Sequence, residues 1–453
     1  MSAREAGTLL TTRRFMPLFV AQIAGAFNDQ FLKMALITLV TWGCMDFMGM
    51  PPKVIVPVAG SIFTAPFFLF SALAGQTADK YDKALVLLRV KQAEIFIMLL
   101  AAAGFYFKLP VFLLITLALM GAQSAFFSPT RNAVLPQWLT DRELIPGNAM
   151  INGFVSVAIL VGQVSGVFII MKAGGPNLVA LILVVLALVG WLAIRQAPPA
   201  PPADPDIKID KWVIPEIGRT FAFALKHPPV LKPMLGTAWY YWLSAGVLIL
   251  MPAYIKEVLH YSNIVLIVVL GLFTLGALMG AMTCLLASKG REGVGISAVG
   301  AIGIAVLTMD LFILAGNTSN LAYAGFVEPV GEITKQACQN DIASLGNVAD
   351  FFATSGSKRF MFDLFGAAFF ASLFVVPLNA LAQRRADPAH RARLLAAGAL
   401  LLNAATTLSQ MLVAGLGYYS VPVHYNFLMI SLICIAIAAY TFYRARVLKR
   451  EAI

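Results

Sequence analysis

The chain of 453 residues is 60% hydrophobic and only 12% charged, with a mean hydropathy of +0.82. Soluble domains carry about 45–50% apolar and about 25% charged residues, so this composition excludes a soluble enzyme, a disordered chain and a nucleic-acid-binding domain, and indicates an integral membrane protein. The net charge of +11 is read below as a marker of topology.

A bilayer core needs about 20 apolar residues per helix. Stretches of that length fall near 15–42, 54–76, 84–106, 111–131, 148–171 and 176–195, and resume near 234–252, 262–287, 293–316, 360–383, 393–417 and 424–443. Their length predicts twelve helices, since barrel strands alternate over about 10 residues. The first carries Asp29 and Lys33 inside it and no small-residue cleavage site after a short apolar core, which predicts a retained helix, not a cleaved leader. Of the 33 Lys and Arg, 24 lie at the N-terminus, in alternate connections, in the central linker or at the C-terminus, against 7 on the opposite side. That asymmetry predicts both termini in the cytoplasm.

The polar break before the seventh span opens with Pro198, Pro199, Pro201, Pro202 and Pro205, a composition of stiff extended spacers. Ile214, Ile217, Phe221 and Leu225 then recur at helical spacing beside Arg219 and Lys226, which suits either an amphipathic helix at the membrane surface or a loop with chance periodicity. The predicted organisation is an N-terminal six-helix bundle over 1–195, a linker over 196–232, and a C-terminal six-helix bundle over 233–453 with a long outer connection at about 317–357. Ala125-Phe126-Phe127 has a counterpart in Ala368-Phe369-Phe370, and six plus six spans is the layout of transporters built from two related halves with the substrate between them. The expected fold is therefore all-α, with two pseudo-symmetric bundles.

Polar residues inside these spans are the candidate site. Gln22, Gly25, Asp29 and Lys33 are spaced 3, 4 and 4 and share one helix face, with Asn28 beside them. A central Asp or Lys costs roughly 2.5–3.5 kcal/mol on insertion scales, so such residues face a bundle interior or a wet cavity. The pair either handles a charged or zwitterionic substrate or ties the bundle together. Lys91 and Glu94 lie within one turn of the third span; Lys91 is near enough to its end to snorkel, whereas Glu94 is deeper. Asn403, Thr406, Thr407 and Gln410 stripe the eleventh span, Gly162 and Gly166 form a GxxxG in the fifth, and Trp239, Tyr240, Tyr241 and Trp242 open the seventh. The stripe either lines the cavity or joins helices by hydrogen bonds, the GxxxG suits a close helix contact, and the aromatics suit an interfacial belt with some of the four turned inward. Asp310 and Asp363 fall near the outer ends of their spans, where water exposure is the simple expectation.

Gly75-Gln76-Thr77-Ala78-Asp79-Lys80-Tyr81-Asp82-Lys83 resembles the signature of the major facilitator superfamily: a Gly, an Asp four residues on, then basic residues. The resemblance implies a cytoplasmic gate of Gly75, Asp79, Lys80 and Lys83, with Gly75 permitting close helix approach and Asp79 accepting hydrogen bonds. The sequence departs from the pattern in having Tyr81-Asp82 where Gly-Arg is frequent.

Further segments resemble a narrower group, the bacterial lysophospholipid transporters. They are Gly25-Ala26-Phe27-Asn28-Asp29-Gln30-Phe31-Leu32-Lys33, Ala78 to Lys83, Lys91-Gln92-Ala93-Glu94-Ile95, the Phe126-Phe127-Ser128-Pro129 turn with Leu135-Pro136, and Gly236 to Trp242. The resemblance implies a bacterial inner-membrane transporter that flips lysophospholipid, chiefly lysophosphatidylethanolamine, to the cytoplasmic leaflet by alternating access. It also implies work beside an acyltransferase and acyl-carrier-protein synthetase. The substrate-binding residues expected are Gln22, Asn28, Asp29, Lys33, Lys91, Glu94, Trp239 and Asn403, with Asp29 meeting the ammonium and Lys33 or Lys91 the phosphate. The alternative is a proton-coupled transporter of small amphipathic compounds or drugs in which Asp29 or Glu94 titrates. The four His and the absence of a GxxxxGK[ST] loop argue against an enzyme or an ATP-driven pump, and no cofactor is expected. Four cysteines form no CxxC pair, and nothing in their spacing pairs Cys44 with Cys338.

Overall fold

The computed structural model describes residues 9–43, 47, 49–207, 209, 213–288, 294–322, 335–387 and 391–451. Lipid offers no partner to backbone groups, so apolar spans satisfy their N–H and C=O groups internally as helices. In the first half these are α1 (Met16–Trp42), α2 (Pro52–Lys80), α3 (Lys83–Tyr106), α4 (Pro110–Trp138), α5 (Asp141–Ile170) and α6 (Gly175–Ile194). The short α7 (Val213–Leu225) and then α8 (Pro228–Ala253), extended by a π-helical turn over Tyr254–Val258, follow. The chain continues with α9 (Asn263–Ser288), α10 (Val294–Ala322), α11 (Lys335–Ser344), α12 (Val348–Ala353), α13 (Ser355–Arg385), α14 (Arg391–Tyr418) and α15 (Tyr425–Glu451).

All twelve expected spans are helices within a few residues of their predicted bounds, apart from ends that run on. Eleven are long and apolar enough to cross a membrane; α3 differs because Lys83, Arg89, Lys91 and Glu94 lower its hydropathy. The fourth span passes through the expected Phe126–Pro129 turn as helix and ends at Trp138, with Pro129 and Pro136 inside it, as membrane helices tolerate. The stretch 213–225 is helical, α7; of its apolar stripe Ile217 is buried and Leu225 exposed. The 317–357 connection is largely helical where described, since α10 runs on to Ala322 and α11 and α12 follow. Glu328, Glu332, Cys44 and the Cys338 side chain lie outside the described residues, as does Lys208; Cys284 and Cys434 are free thiols.

The chain packs as two compact units, Met1–Phe47 with Ile62–Gly218, and Met48–Ser61 with Arg219–Ile453. In the first, α1 packs on α5 and α6, and α3 on α4 and α6; in the second, α8 packs on α14, and α10 on α13 and α15. Counted as spans, the first–fifth, third–fourth and third–sixth pairs recur as seventh–eleventh, ninth–tenth and ninth–twelfth. The repeat is in the packing even where sequence similarity is faint. The α1–α5 seam is close because of the GxxxG: a Cβ on Gly162 or Gly166 would lie 2.7 Å from the carbonyl oxygen of Phe27 or Phe31.

Candidate functional site

The polar face of α1 meets α3 and α4 inside the first unit. Gly25 provides the room: a Cβ there would sit 2.6 Å from Lys91 Nζ and 3.9 Å from Glu94 Oε2. Lys91 donates to Glu94 Oε2 at 2.6 Å, with the two side chains only 1% and 2% exposed. The same Glu94 oxygen accepts from Gln123 Nε2 on α4 at 3.0 Å. Ser124 Oγ, the next residue, lies 2.9 Å from Asp29 Oδ2 and 3.1 Å from Gln123 Oε1. A continuous polar chain thus runs Asp29–Ser124–Gln123–Glu94–Lys91 across three helices.

The two lysines differ in what they face. Lys91 is closed on Glu94 and lies over the Phe127 ring at 4.9 Å. Lys33 is half-buried, one helical turn beyond Asp29, and forms no ion pair among the described residues; its ammonium lies 5.7 Å from the centre of the Phe63 ring. Asp29 is likewise half-buried and holds Ser124 but no cation at salt-bridge distance among the described residues. One pair is filled and dry; the other presents an unpaired anion and an unpaired cation about 6 Å apart along the helix axis, four residues at 1.5 Å each. The four charges sum to zero, and the open pair can receive a headgroup bearing one charge of each sign. Snorkelling of Lys91, one of the expectations, is not observed, because Glu94 holds it inside.

The remaining expected residues divide. Asn28 is fully buried and donates from Nδ2 to Leu183 O on α6 at 3.1 Å, a link between helices, with its Oδ1 unpartnered. Gln22 is half-buried with Oε1 unpartnered. Trp239 and Asn403 belong to the second unit. Trp239 packs edge-on against Phe374 at 5.0 Å, with Nε1 buried and unpartnered, and the Asn403 carbonyl accepts from Thr407 Oγ1. The structure also corrects the water-exposed reading of Asp363: it is 2% exposed, one helical turn from Arg359, which clamps Asp310 with Nε at 2.7 Å.

In the gate motif, α2 runs as helix through Gly75 to Lys80, and no described residue of the first unit lies within 4 Å of a Cβ at Gly75. Asp79 is exposed and contributes through its backbone oxygen. Asp82, the departure from the pattern, caps α3 by accepting from the N–H groups of Ala84 and Leu85.

Sequence reasoning missed Gln123 and Ser124, the bridge between the two charge pairs, and the rings of Phe63 and Phe127. The available signal was an adjacent Gln-Ser doublet in the middle of a span, where an unsatisfied polar group is expensive.

The profile of the Major Facilitator Superfamily matches residues 6–331. The lysophospholipid transporter LplT of Escherichia coli (strain SE11) is 30% identical over 159 residues, 35% of this chain and 37% of that protein. LplT of Shigella boydii serotype 18 (strain CDC 3083-94 / BS512) matches to the same extent. The chain therefore aligns with little more than a third of these relatives. Among solved structures, a POT family transporter in complex with 5-aminolevulinic acid superposes with a TM-score of 0.63 at 12% identity, covering 94% of this chain and 95% of that one. A bacterial homologue of the iron transporter ferroportin in the inward-facing state gives 0.58 at 13%, covering 95% and 98%. At such identities the likeness speaks for the fold.

Proposed function

Because the chain belongs to the major facilitator superfamily of membrane transporters, we propose that it carries lysophospholipid, and lysophosphatidylethanolamine in particular, to the cytoplasmic leaflet by alternating access. The observation that carries this reading is the open pair on α1. Asp29 has no cation and Lys33 no anion among the described residues, which suits the ammonium and the phosphate of one zwitterion. Lys33, not Lys91, meets the phosphate, because Lys91 is already neutralised by Glu94. The partial likeness to LplT supports the lipid class. On this reading the protein lies in a bacterial inner membrane with both termini cytoplasmic, built as bundles over 1–195 and 233–453 joined by 196–232, and serves an acyltransferase that re-acylates its product.

Flipping of labelled lysophosphatidylethanolamine in proteoliposomes tests the reading. Asp29→Asn and Lys33→Met each lower the rate about tenfold to hundredfold, the value of one charge-assisted hydrogen bond of about 1.5–3 kcal/mol. Wild-type rates in both variants would remove the open pair from the mechanism. The Asp29–Ser124–Gln123–Glu94 chain favours a second reading, proton-coupled transport of small amphipathic compounds. It predicts transport driven by a pH gradient and indifferent to lysolipid.

A further inference from the structure

The proline-rich segment after α6 has the composition of a passive spacer, but its hydrogen-bonding groups are engaged by the first unit. Within Pro198–Pro202 the only backbone donor is Ala200, since proline has none. Its N–H donates to Asp82 Oδ2 at 3.1 Å and its carbonyl accepts from Lys83 N at 2.9 Å. Its methyl is fully buried in a cluster with Leu9, Phe15, Leu135 and Trp138. Pro201 O accepts from Lys83 Nζ at 3.2 Å and Gln137 Nε2 at 3.3 Å. Ala203 N and Asp204 N both donate to Asp79 O at 3.0 Å, and Lys80 Nζ donates to Ile207 O at 2.9 Å. A solvated linker leaves such groups to water; here one short segment ties the end of α2, the start of α3 and the end of α4.

Two of those helices, α3 and α4, carry four of the five residues of the polar chain. Asp82, which the segment engages, also caps α3, and Lys91 lies nine residues further on, about 13 Å along the axis. Gln137 ends the same helix that carries Gln123 and Ser124. Lys83 adds a second sign of commitment: an ammonium only 1% exposed whose hydrogen bond is to a carbonyl of the segment.

We propose that residues 197–207 are a docked strap that holds α3 and α4 in the register Gln123 needs to bridge Glu94 and Ser124, so that Asp82, Lys83 and Ala200 are positioning residues for transport. The proposal rests on the reading of that network as the transport site. The strap loads α3 and α4 at one end, and the network reports their alignment deep in the bundle.

The test uses full-length protein in which Cys44, Cys284, Cys338 and Cys434 are replaced by Ser. A thiol at Ala200→Cys reacts with maleimide about tenfold more slowly than one at the exposed Ala203→Cys, as a docked segment must. Adding Lys83→Met, or Ala200→Pro in a second background to remove only the N–H that Asp82 accepts, speeds labelling of a Gln123→Cys thiol severalfold. In flipping assays Lys83→Met and Gln123→Ala each slow transport about tenfold, and the double variant is no slower than the worse single one, because both act through one network. Equal labelling at positions 200 and 203, a Gln123→Cys thiol indifferent to both strap changes, or losses that multiply to about hundredfold would each overturn the proposal. Absence of lysolipid flipping by the wild-type protein would instead sink the substrate reading, and the labelling comparison still decides the strap.

Discussion

Lys91 and Glu94 are the most deeply buried opposite charges of the first unit, and their burial sets what substitutions do. Removing one partner strands the other charge, at a cost of about 3–5 kcal/mol, whereas replacing both with apolar residues of similar volume is often neutral. Glu94→Leu is therefore expected to lower the thermal midpoint sharply, and Lys91→Met/Glu94→Leu to recover most of it. Thermal melts of both variants beside the wild type decide it, and a double variant that melts no higher than Glu94→Leu would show that the closed 2.6 Å contact is not what holds these charges inside. Gly25→Ala acts on the same contact by pressing its Cβ on Lys91 Nζ. Asp29, Lys33, Lys91 and Glu94 were legible in the sequence because charge inside a span is costly. Which pair was open was not, since Lys91 and Lys33 each have a carboxylate three or four residues away and only the packing of α1, α3 and α4 separates them.

At the scale of elements, helices were legible wherever an apolar run set both length and period, and α3 was recognised despite its four charges. The strap was not legible: prolines carry no periodicity, and its anchors lie more than a hundred residues earlier at Asp79–Lys83. The α1–α5 seam was foreseen as a GxxxG and allows a direct comparison. Gly162→Ala forces a Cβ towards the backbone oxygen of Phe27, where no side-chain movement relieves it, while Gly153 on the same helix has nothing within 4 Å. Overpacking of this kind costs typically about 1–3 kcal/mol. Gly162→Ala is expected to melt lower and Gly153→Ala close to wild type, and equal midpoints would remove the seam as a determinant of stability. The second unit contains an analogous pair that the sequence reading passed over: Gly276 and Gly280 on α9 lie against the carbonyls of Phe365 and Phe369 on α13.

Across the whole molecule, each unit joins the same pair of spans by a polar bridge. In the first, α3 and α4 are bridged by Glu94 and Gln123; in the second, the corresponding α10 and α13 are bridged by Asp310 and Arg359. The first bridge is dry and the second reaches solvent, because Arg359 is 46% exposed. Arg359 is nonetheless the cation that neutralises Asp310, with the buried Asp363 one turn away on its own helix. Arg359→Ala should lower the thermal midpoint, Arg359→Lys should restore it only in part because a lysine cannot fork across two carboxylate oxygens, and Arg359→Ala/Asp310→Asn should recover most of the loss by removing the orphaned charge. Were Arg359→Ala to melt like the wild type, the bridge would be an incidental surface contact.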